Sequence, residues 1–213
     1  MAEALQRHTM VTASATGWSA AMSRNPALAS EPIIEGWARA SRPLVVRRPA
    51  CNDPAGMIPL GLPPSHGKRR IAVALAPGEL IAHAPPPLLA DTAAAAPASW
   101  HRTIDLLVRL LPQTRTYGSL AWQHLTGLPY LSDGSDLDLL WPLSSATHAN
   151  TLPSDIARIA ETAPMRLDGE IVYHAGGVQW RELTGADEDE VLVKGAAGVH
   201  VTTRAAFLAG GAS

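Results

Sequence analysis

Cysteine is almost missing from this chain. A single thiol, Cys51, stands among 213 residues. One thiol excludes an internal disulfide framework and any cysteine-built metal cage. The eight histidines show no His-x-x-x-His spacing, so they offer no helical metal pair either. No run of about 18 apolar residues exists, which excludes a transmembrane helix. The first 22 residues lack a continuous apolar stretch and contain Gly17 and Trp18, so no signal peptide is expected and the cytoplasm is the default location. Aromatic residues are scarce too, with one Phe and three Tyr, so aliphatic side chains and six Trp must fill the core.

What is present belongs to a folded protein: 46% hydrophobic and 17% charged residues. The net charge of -2 argues against a general nucleic-acid binder. Its distribution is uneven. Residues 1–70 carry nine Lys or Arg against four acids, and residues 71–213 carry eight against fifteen. A phosphate-rich ligand held between a basic and an acidic region suits this asymmetry.

The pattern predicts an α+β fold, with a small N-terminal β-rich domain over 1–90 and an α/β catalytic domain over 91–213. Residues 43–48 and 68–75 read as strands, and the Pro/Gly-rich stretch 52–67 between them reads as loop. The Pro/Ala run 84–98 reads as a linker. Helices are predicted over 99–111, with Ser99 as cap, over 119–126, and over 154–163 between Pro153 and Pro164. Strands are predicted over 114–117, 136–141, 166–174, 178–183 and 191–194. The acidic run 187–190 reads as a solvated helix start. Trp122 and Trp141 read as core, and His124 as a surface or packing residue.

One constellation carries chemistry. Tyr117-Gly118-Ser119 opens a helix, and Asp136-Leu137-Asp138 opens the next strand. Glycine allows a tight turn and a close phosphate approach. Ser119 adds a hydroxyl, and a helix N-terminus presents free amides and positive dipole to an anion. Asp136 and Asp138, two apart on a strand, point to one face with Cα atoms roughly 6.5–7 Å apart. Such a pair is suited to Mg²⁺, whose other ligands are substrate phosphates.

In this order, the two motifs resemble the nucleotidyltransferase superfamily. The interval 120–135 is a little longer than usual there, which an extended helix-to-strand loop accommodates. The resemblance implies a third carboxylate on a later strand. Asp168 and Glu170 are the candidates, with Asp168 favoured as the third catalytic residue. A hairpin turn at Asp168-Gly169 is the competing reading.

Several segments together support a narrower resemblance. They are Arg7-His8, Arg42 to Arg48 (RPLVVRR), Pro59-Leu60-Gly61-Leu62-Pro63-Pro64 leading to Gly67-Lys68-Arg69-Arg70, Tyr117 to Gln123, Ser132 to Leu140, and Val191 to Lys194. Across nearly the whole chain this is similar to the bacterial malonate decarboxylase holo-acyl-carrier-protein synthases, which are phosphoribosyl-dephospho-CoA transferases. The resemblance implies a triphosphoribosyl-dephospho-CoA donor, a serine of the acyl-carrier subunit of malonate decarboxylase as acceptor, and pyrophosphate as leaving group. Asp136 and Asp138 would hold Mg²⁺, while Gly118 and Ser119 would grip phosphate. Arg47, Arg48, Lys68, Arg69 and Arg70 would neutralise the donor, because guanidinium forks match phosphate oxygens. An acidic carrier would prefer the basic N-terminal side. Neither nucleic acid nor membrane is an expected partner. The alternative reading is a nucleotidyltransferase that moves a nucleoside monophosphate to another protein or small-molecule hydroxyl. A binding module that kept the fold without activity is disfavoured by the intact Asp136/Asp138 pair.

Overall fold

A computed structural model describes residues 5–63, 70–143, 146–173, 176–195 and 198–210. The chain divides into two compact units, Met1–Pro86 with Leu125–Pro129, and Pro87–His124 with Tyr130–Ser213. Strands and helices occur in both, so the fold is α+β as expected.

The first unit begins with β1 (Met10–Ala13), followed by α1 (Ala15–Arg24), α2 (Pro26–Ala29) and α3 (Pro32–Arg39). Next come β2 (Leu44–Val46), β3 (Ile58–Leu62), β4 (Ile71–Leu75) and β5 (Leu80–Ala84). The strands form one antiparallel sheet in the order β4-β3-β2-β1-β5. The three helices are additions to a unit expected to be built of strands. Ser14 starts α1 by accepting the Gly17 amide at 2.9 Å, which satisfies one of the orphan donors of the first turn. Pro32 opens α3, where a missing N–H costs nothing. Trp18, Ile34 and Trp37 are buried with the strand residues Leu44, Leu60, Leu62 and Leu75.

The loop expected over 52–67 is corrected by β3. Ile58 to Leu62 alternates too weakly to announce a strand, and it contains Pro59 and Gly61. It is nevertheless a central strand, flanked by β2 and β4. Pro59 has no N–H to offer, but its carbonyl accepts the Arg47 amide at 3.0 Å. Tertiary pairing overrides a poor local propensity here.

The second unit contains α4 (Leu89–Thr92), α5 (His101–Leu110), β6 (Arg115–Tyr117), α6 (Gly118–Thr126), β7 (Leu137–Pro142) and α7 (Ala146–Ala160). It continues with β8 (Leu167–Tyr173), β9 (Gly176–Gln179), β10 (Glu190–Gly195), β11 (Val199–Thr203) and α8 (Arg204–Leu208). The sheet order is β11-β10-β9-β8-β7-β6. Only β7 and β8 pair in parallel among these strands, and α7 supplies the crossover that a parallel pair needs. Leu137, Leu139, Trp141, Leu167 and Ile171 point to one face and join Ile104, Leu107, Leu152, Ile156 and Phe207 in a single core. The intervening residues, Asp138, Leu140, Asp168 and Glu170, occupy the other face by the period-2 rule.

Four local expectations change. Pro153 lies inside α7 rather than before it. The buried Leu152 and Ile156 on either side of it tie this turn to the core, which outweighs the lost hydrogen bond. Ser99 does not cap α5 but lies in a short 3₁₀ turn, Ala98–Trp100, that leads into it. The strand expected over 178–183 stops at Gln179 and becomes a 3₁₀ turn, Trp180–Thr184, which buries Trp180 and Leu183. The acidic run opens no helix; it forms a turn before β10, where Asp189 accepts the Ala186 amide at 2.7 Å. Trp122 and Trp141 are core, as expected, and His124 is exposed. Among the described residues no helix is long and apolar enough to cross a membrane.

Candidate active site

The candidate site grows from the register of three adjacent strands. In the antiparallel pair β6–β7, Tyr117 stands opposite Asp138. In the parallel pair β7–β8, Asp138 stands opposite Asp168. Thr116 secures the first pairing by donating its hydroxyl to the Asp138 carbonyl at 2.8 Å. Tyr117, Asp138 and Asp168 are therefore aligned by backbone pairing, and Gly118 follows Tyr117 directly. Asp136 precedes β7 by one residue and follows the same parity as Asp138.

Gly118 turns the chain from β6 into α6 with φ +66°, a left-handed conformation that glycine adopts without penalty. The Asp138 carboxylate packs against its open side. Ser119 follows, half-buried in the first turn of α6. The first amides of a helix have no intrahelical acceptor, so those at this turn are available to an outside one.

Asp168 does not sit in a hairpin turn, as the competing reading had it. Gly169 is a mid-strand residue opposite Leu139, with φ +149°. A Cβ there would stand 2.2 Å from the Leu139 carbonyl oxygen, so the close approach of the two parallel strands requires glycine. One oxygen of Asp168, Oδ1, accepts from Gln179 Nε2 at 2.9 Å and from the Gly169 amide at 2.8 Å. Its other oxygen, Oδ2, lies 3.5 Å from an Arg166 guanidinium nitrogen. The same nitrogen, Nη2, donates to Asp136 Oδ2.

This hydrogen bond is the main reason the Asp136 carboxyl is held below the usual carboxylate range. Partial burial opposes the shift, and the charges of Arg166 and Arg181 add to it. Arg181 in turn lies over the Trp180 ring, 4.4 Å from its centroid. The Arg166 guanidinium is pushed further toward its charged form by Asp136 first, then by Asp168 and Asp138.

Glu170, the other candidate for a third carboxylate, has a different setting. It is buried, and Lys194 donates to its Oε1 at 3.0 Å. Opposite it on β7 stands Leu140, not an acid. Asp168 is thus the carboxylate beside Asp138, and Glu170 belongs to an ion pair further along the same strand.

The basic residues read from the sequence divide. Arg47, Arg48 and Arg70 lie in the first unit. Lys68 and Arg69 lie outside the described residues. The Arg47 guanidinium makes four hydrogen bonds: it donates to Leu60 O at 3.1 Å, to Arg48 O at 3.0 Å, and to both oxygens of Asp53. Asp53 also accepts the Ala50 amide at 2.6 Å, so Arg47 pins the turn after β2. Arg70 is exposed, and Arg48 is half-buried.

Two residues of the site escaped the sequence reading. Arg166 had a legible signal, since a residue two before Asp168 on a strand shares its face. Gln179 had none, because its approach to Asp168 depends on the β8–β9 register.

Among the described residues no group of three or more His, Cys, Asp or Glu side chains is arranged to hold a metal ion. Mg²⁺ needs only one or two protein carboxylates beside its waters and substrate phosphates, and the Asp136/Asp138 pair is chemically suited to that smaller set. Arg166 provides the stand-in, a cation bonded to Asp136 and within 3.5 Å of Asp168.

Comparison with known proteins adds an independent line. Residues 88–205 match the family model of the phosphoribosyl-dephospho-CoA transferase MdcG C-terminal domain, and residues 6–86 match that of its N-terminal domain. A phosphoribosyl-dephospho-CoA transferase of Bradyrhizobium diazoefficiens is 38% identical over 210 residues, covering 96% of this chain and 92% of that one. A Xanthomonas campestris protein of the same name is 33% identical over 208 residues, covering 94% and 95%. One from Xanthomonas euvesicatoria is 36% identical over 188 residues, covering 84% and 86%. No solved structure matches the chain significantly.

Proposed function

The chain belongs to the phosphoribosyl-dephospho-CoA transferase family and is a transferase enzyme; from that premise we propose that it moves phosphoribosyl-dephospho-CoA from a triphosphate donor to a serine of the acyl-carrier subunit of malonate decarboxylase. Pyrophosphate leaves. The observation that carries this reading is the alignment of Tyr117, Asp138 and Asp168 across three paired strands, with Gly118 next after Tyr117 and packed on the Asp138 carboxylate. It joins an anion-binding helix start to a cluster of carboxylates.

In the proposed reaction the serine oxygen forms a bond to the phosphorus nearest the ribose, and the bond from that phosphorus to pyrophosphate breaks. Such a transfer needs positioning and charge stabilisation more than a protein nucleophile. Asp136 and Asp138 would hold Mg²⁺. When bound there, it would supply charge neutralisation at the transferring phosphate. The amides at Gly118 and Ser119 take the leaving phosphates, with the dipole of α6 behind them. Gln179 and the Gly169 amide both bond Oδ1 of Asp168, which leaves Oδ2 outside that pair of bonds. Asp168 then receives the serine proton. Arg48, Lys68, Arg69 and Arg70 would supply counter-charge to a phosphate-rich donor by their residue type. Arg47 supports them by holding the turn, through Asp53.

The test is direct. Purified protein, triphosphoribosyl-dephospho-CoA, Mg²⁺ and apo carrier are incubated, and the carrier is weighed. A mass gain equal to one prosthetic group, with pyrophosphate released in equal amount, is expected. An unmodified carrier with authentic donor refutes the proposal. Parallel reactions with ordinary nucleoside triphosphates test the alternative, in which a nucleoside monophosphate would appear on an acceptor.

A further inference from the structure

Arg166 has no place in the reaction as described so far, yet it is the basic side chain bonded into the carboxylate cluster. Its position follows from the sheet. It lies two residues before Asp168, and its carbonyl accepts the Leu137 amide at 2.9 Å, which sets it level with Asp136. Nη2 donates to Asp136 and lies 3.5 Å from Asp168. Both polar contacts of the side chain are to these aspartates. The side chain is 58% exposed, and among the described residues nothing else bonds its head.

Three carboxylates on one sheet face repel each other, and a guanidinium among them relieves part of that repulsion. A divalent cation would do so more fully. Both are cations drawn to the same Asp136 carboxylate, and the repulsion between them at that distance makes them compete. An exposed arginine on a flexible stem can turn outward at small cost. Its planar fork is then matched to non-bridging phosphate oxygens.

The geometry points to Arg166 as a two-position residue. It holds the cation position against Asp136 and Asp168 before the metal enters, and it binds a donor phosphate once the metal has displaced it. This inference rests on the metal assignment made under the proposed function. It implies that the metal alone binds weakly. It also implies that metal and donor strengthen each other's binding, since coupling between two ligands is reciprocal.

The experiment measures Mn²⁺ affinity without donor, by electron paramagnetic resonance of the free ion, beside steady-state kinetics with donor and carrier. Arg166→Gln is expected to bind Mn²⁺ roughly fivefold more tightly, the ratio that corresponds to the loss of a screened surface pair. Its kcat/KM is expected to fall by roughly ten- to a hundredfold, the effect of one lost charged hydrogen bond. Arg166→Lys keeps the charge without the fork. It should hold Mn²⁺ affinity within about twofold of the parent, as point-charge neutralisation persists, while kcat/KM recovers only in part. Unchanged or weakened Mn²⁺ binding in Arg166→Gln overturns the inference. So does a rise in Arg166→Lys as large as in Arg166→Gln. Unaltered turnover in Arg166→Gln overturns the phosphate half. A parent protein that fails to modify the carrier would instead refute the proposed function, and the Mn²⁺ titrations would still decide the competition.

Discussion

The Asp138 carboxylate fills the place where a side chain on Gly118 would begin: Oδ2 lies 1.8 Å from an ideal Cβ there. Two demands meet at Gly118, a left-handed backbone and an open side for an acid. Alanine violates both. The backbone penalty is about 1–2 kcal/mol, or roughly 2–8 °C of melting temperature for a chain of this size. The displaced carboxylate matters more, because a shift of about 1 Å at a reacting centre costs roughly a hundredfold. Gly118→Ala is therefore expected to melt only slightly lower but to lose about two orders of magnitude in kcat/KM. Calorimetry and the carrier-mass assay check this, and wild-type turnover in Gly118→Ala would remove Asp138 from the site.

Asp136, Asp138 and Asp168 should behave as one group, and Glu170 should not. Asparagine at any of the three is expected to lower turnover by roughly 10³-fold, the scale of a lost charge-stabilising contact, with little change in melting. Glu170→Gln should show the opposite pattern. It leaves Lys194 without its buried partner, and the loss is expected at about 1–3 kcal/mol in denaturant midpoint. Lys194→Met should cost a similar amount, and the double substitution should cost less than the two losses together. Turnover in Glu170→Gln falling as far as in Asp168→Asn would mean that Asp168 is not the third carboxylate of the site.

The outline of this site was legible in the sequence because its key relations are local. Gly-Ser before an apolar helix and Asp-x-Asp before an apolar strand declare their own geometry. Asp168 over Glu170 was only a preference, since both acids share a face. The β7–β8 register separates them by one step, setting Asp168 beside Asp138 and Glu170 beside Leu140. Gln179 was invisible for the same reason, as was the strand Ile58–Leu62, whose Pro and Gly argue against it until both neighbours are in place. What sequence periodicity conveys is which face a residue occupies; which residue stands next to it is fixed by pairing between distant segments.

The arginines of the first unit should separate into two classes. Arg47 has its donors committed to Asp53 and to two carbonyls, so Arg47→Ala unpins the turn after β2. A fall of about 1–3 kcal/mol in stability is expected from the stranded Asp53 and the lost bonds. Arg70→Ala touches no such network and should leave stability within about 0.5 kcal/mol, while KM for the donor rises. Melting and donor kinetics on the two variants distinguish the roles. If Arg47→Ala melted like the parent and only its KM rose, Arg47 would be a phosphate ligand after all.

The acid limb of stability should trace to a few paired carboxylates, with Glu79 the clearest. Arg24 meets it as a fork, Nη1 to Oε1 and Nη2 to Oε2, both at 2.7 Å, and also donates to the Ala74 carbonyl at 3.2 Å. The Arg24 bond is the main cause that holds the Glu79 carboxyl below its ordinary value of 4.5; burial opposes it, and the Ala76 amide at 2.8 Å assists. A carboxyl depressed in the folded state binds fewer protons there than in the unfolded chain. Its contribution is complete above pH 4.5 and is lost as pH falls through the lower folded value. Asp53, held down chiefly by Arg47, and Asp136, held down chiefly by Arg166, act with the same sign. The denaturant midpoint should thus be flat from pH 7 to about pH 5 and fall below that. Glu79→Gln should lower the plateau and make the fall shallower, without abolishing it, because Asp53 and Asp136 still titrate. A variant curve parallel to the parent's through the acid range would show that the fork with Arg24 contributes nothing in solution.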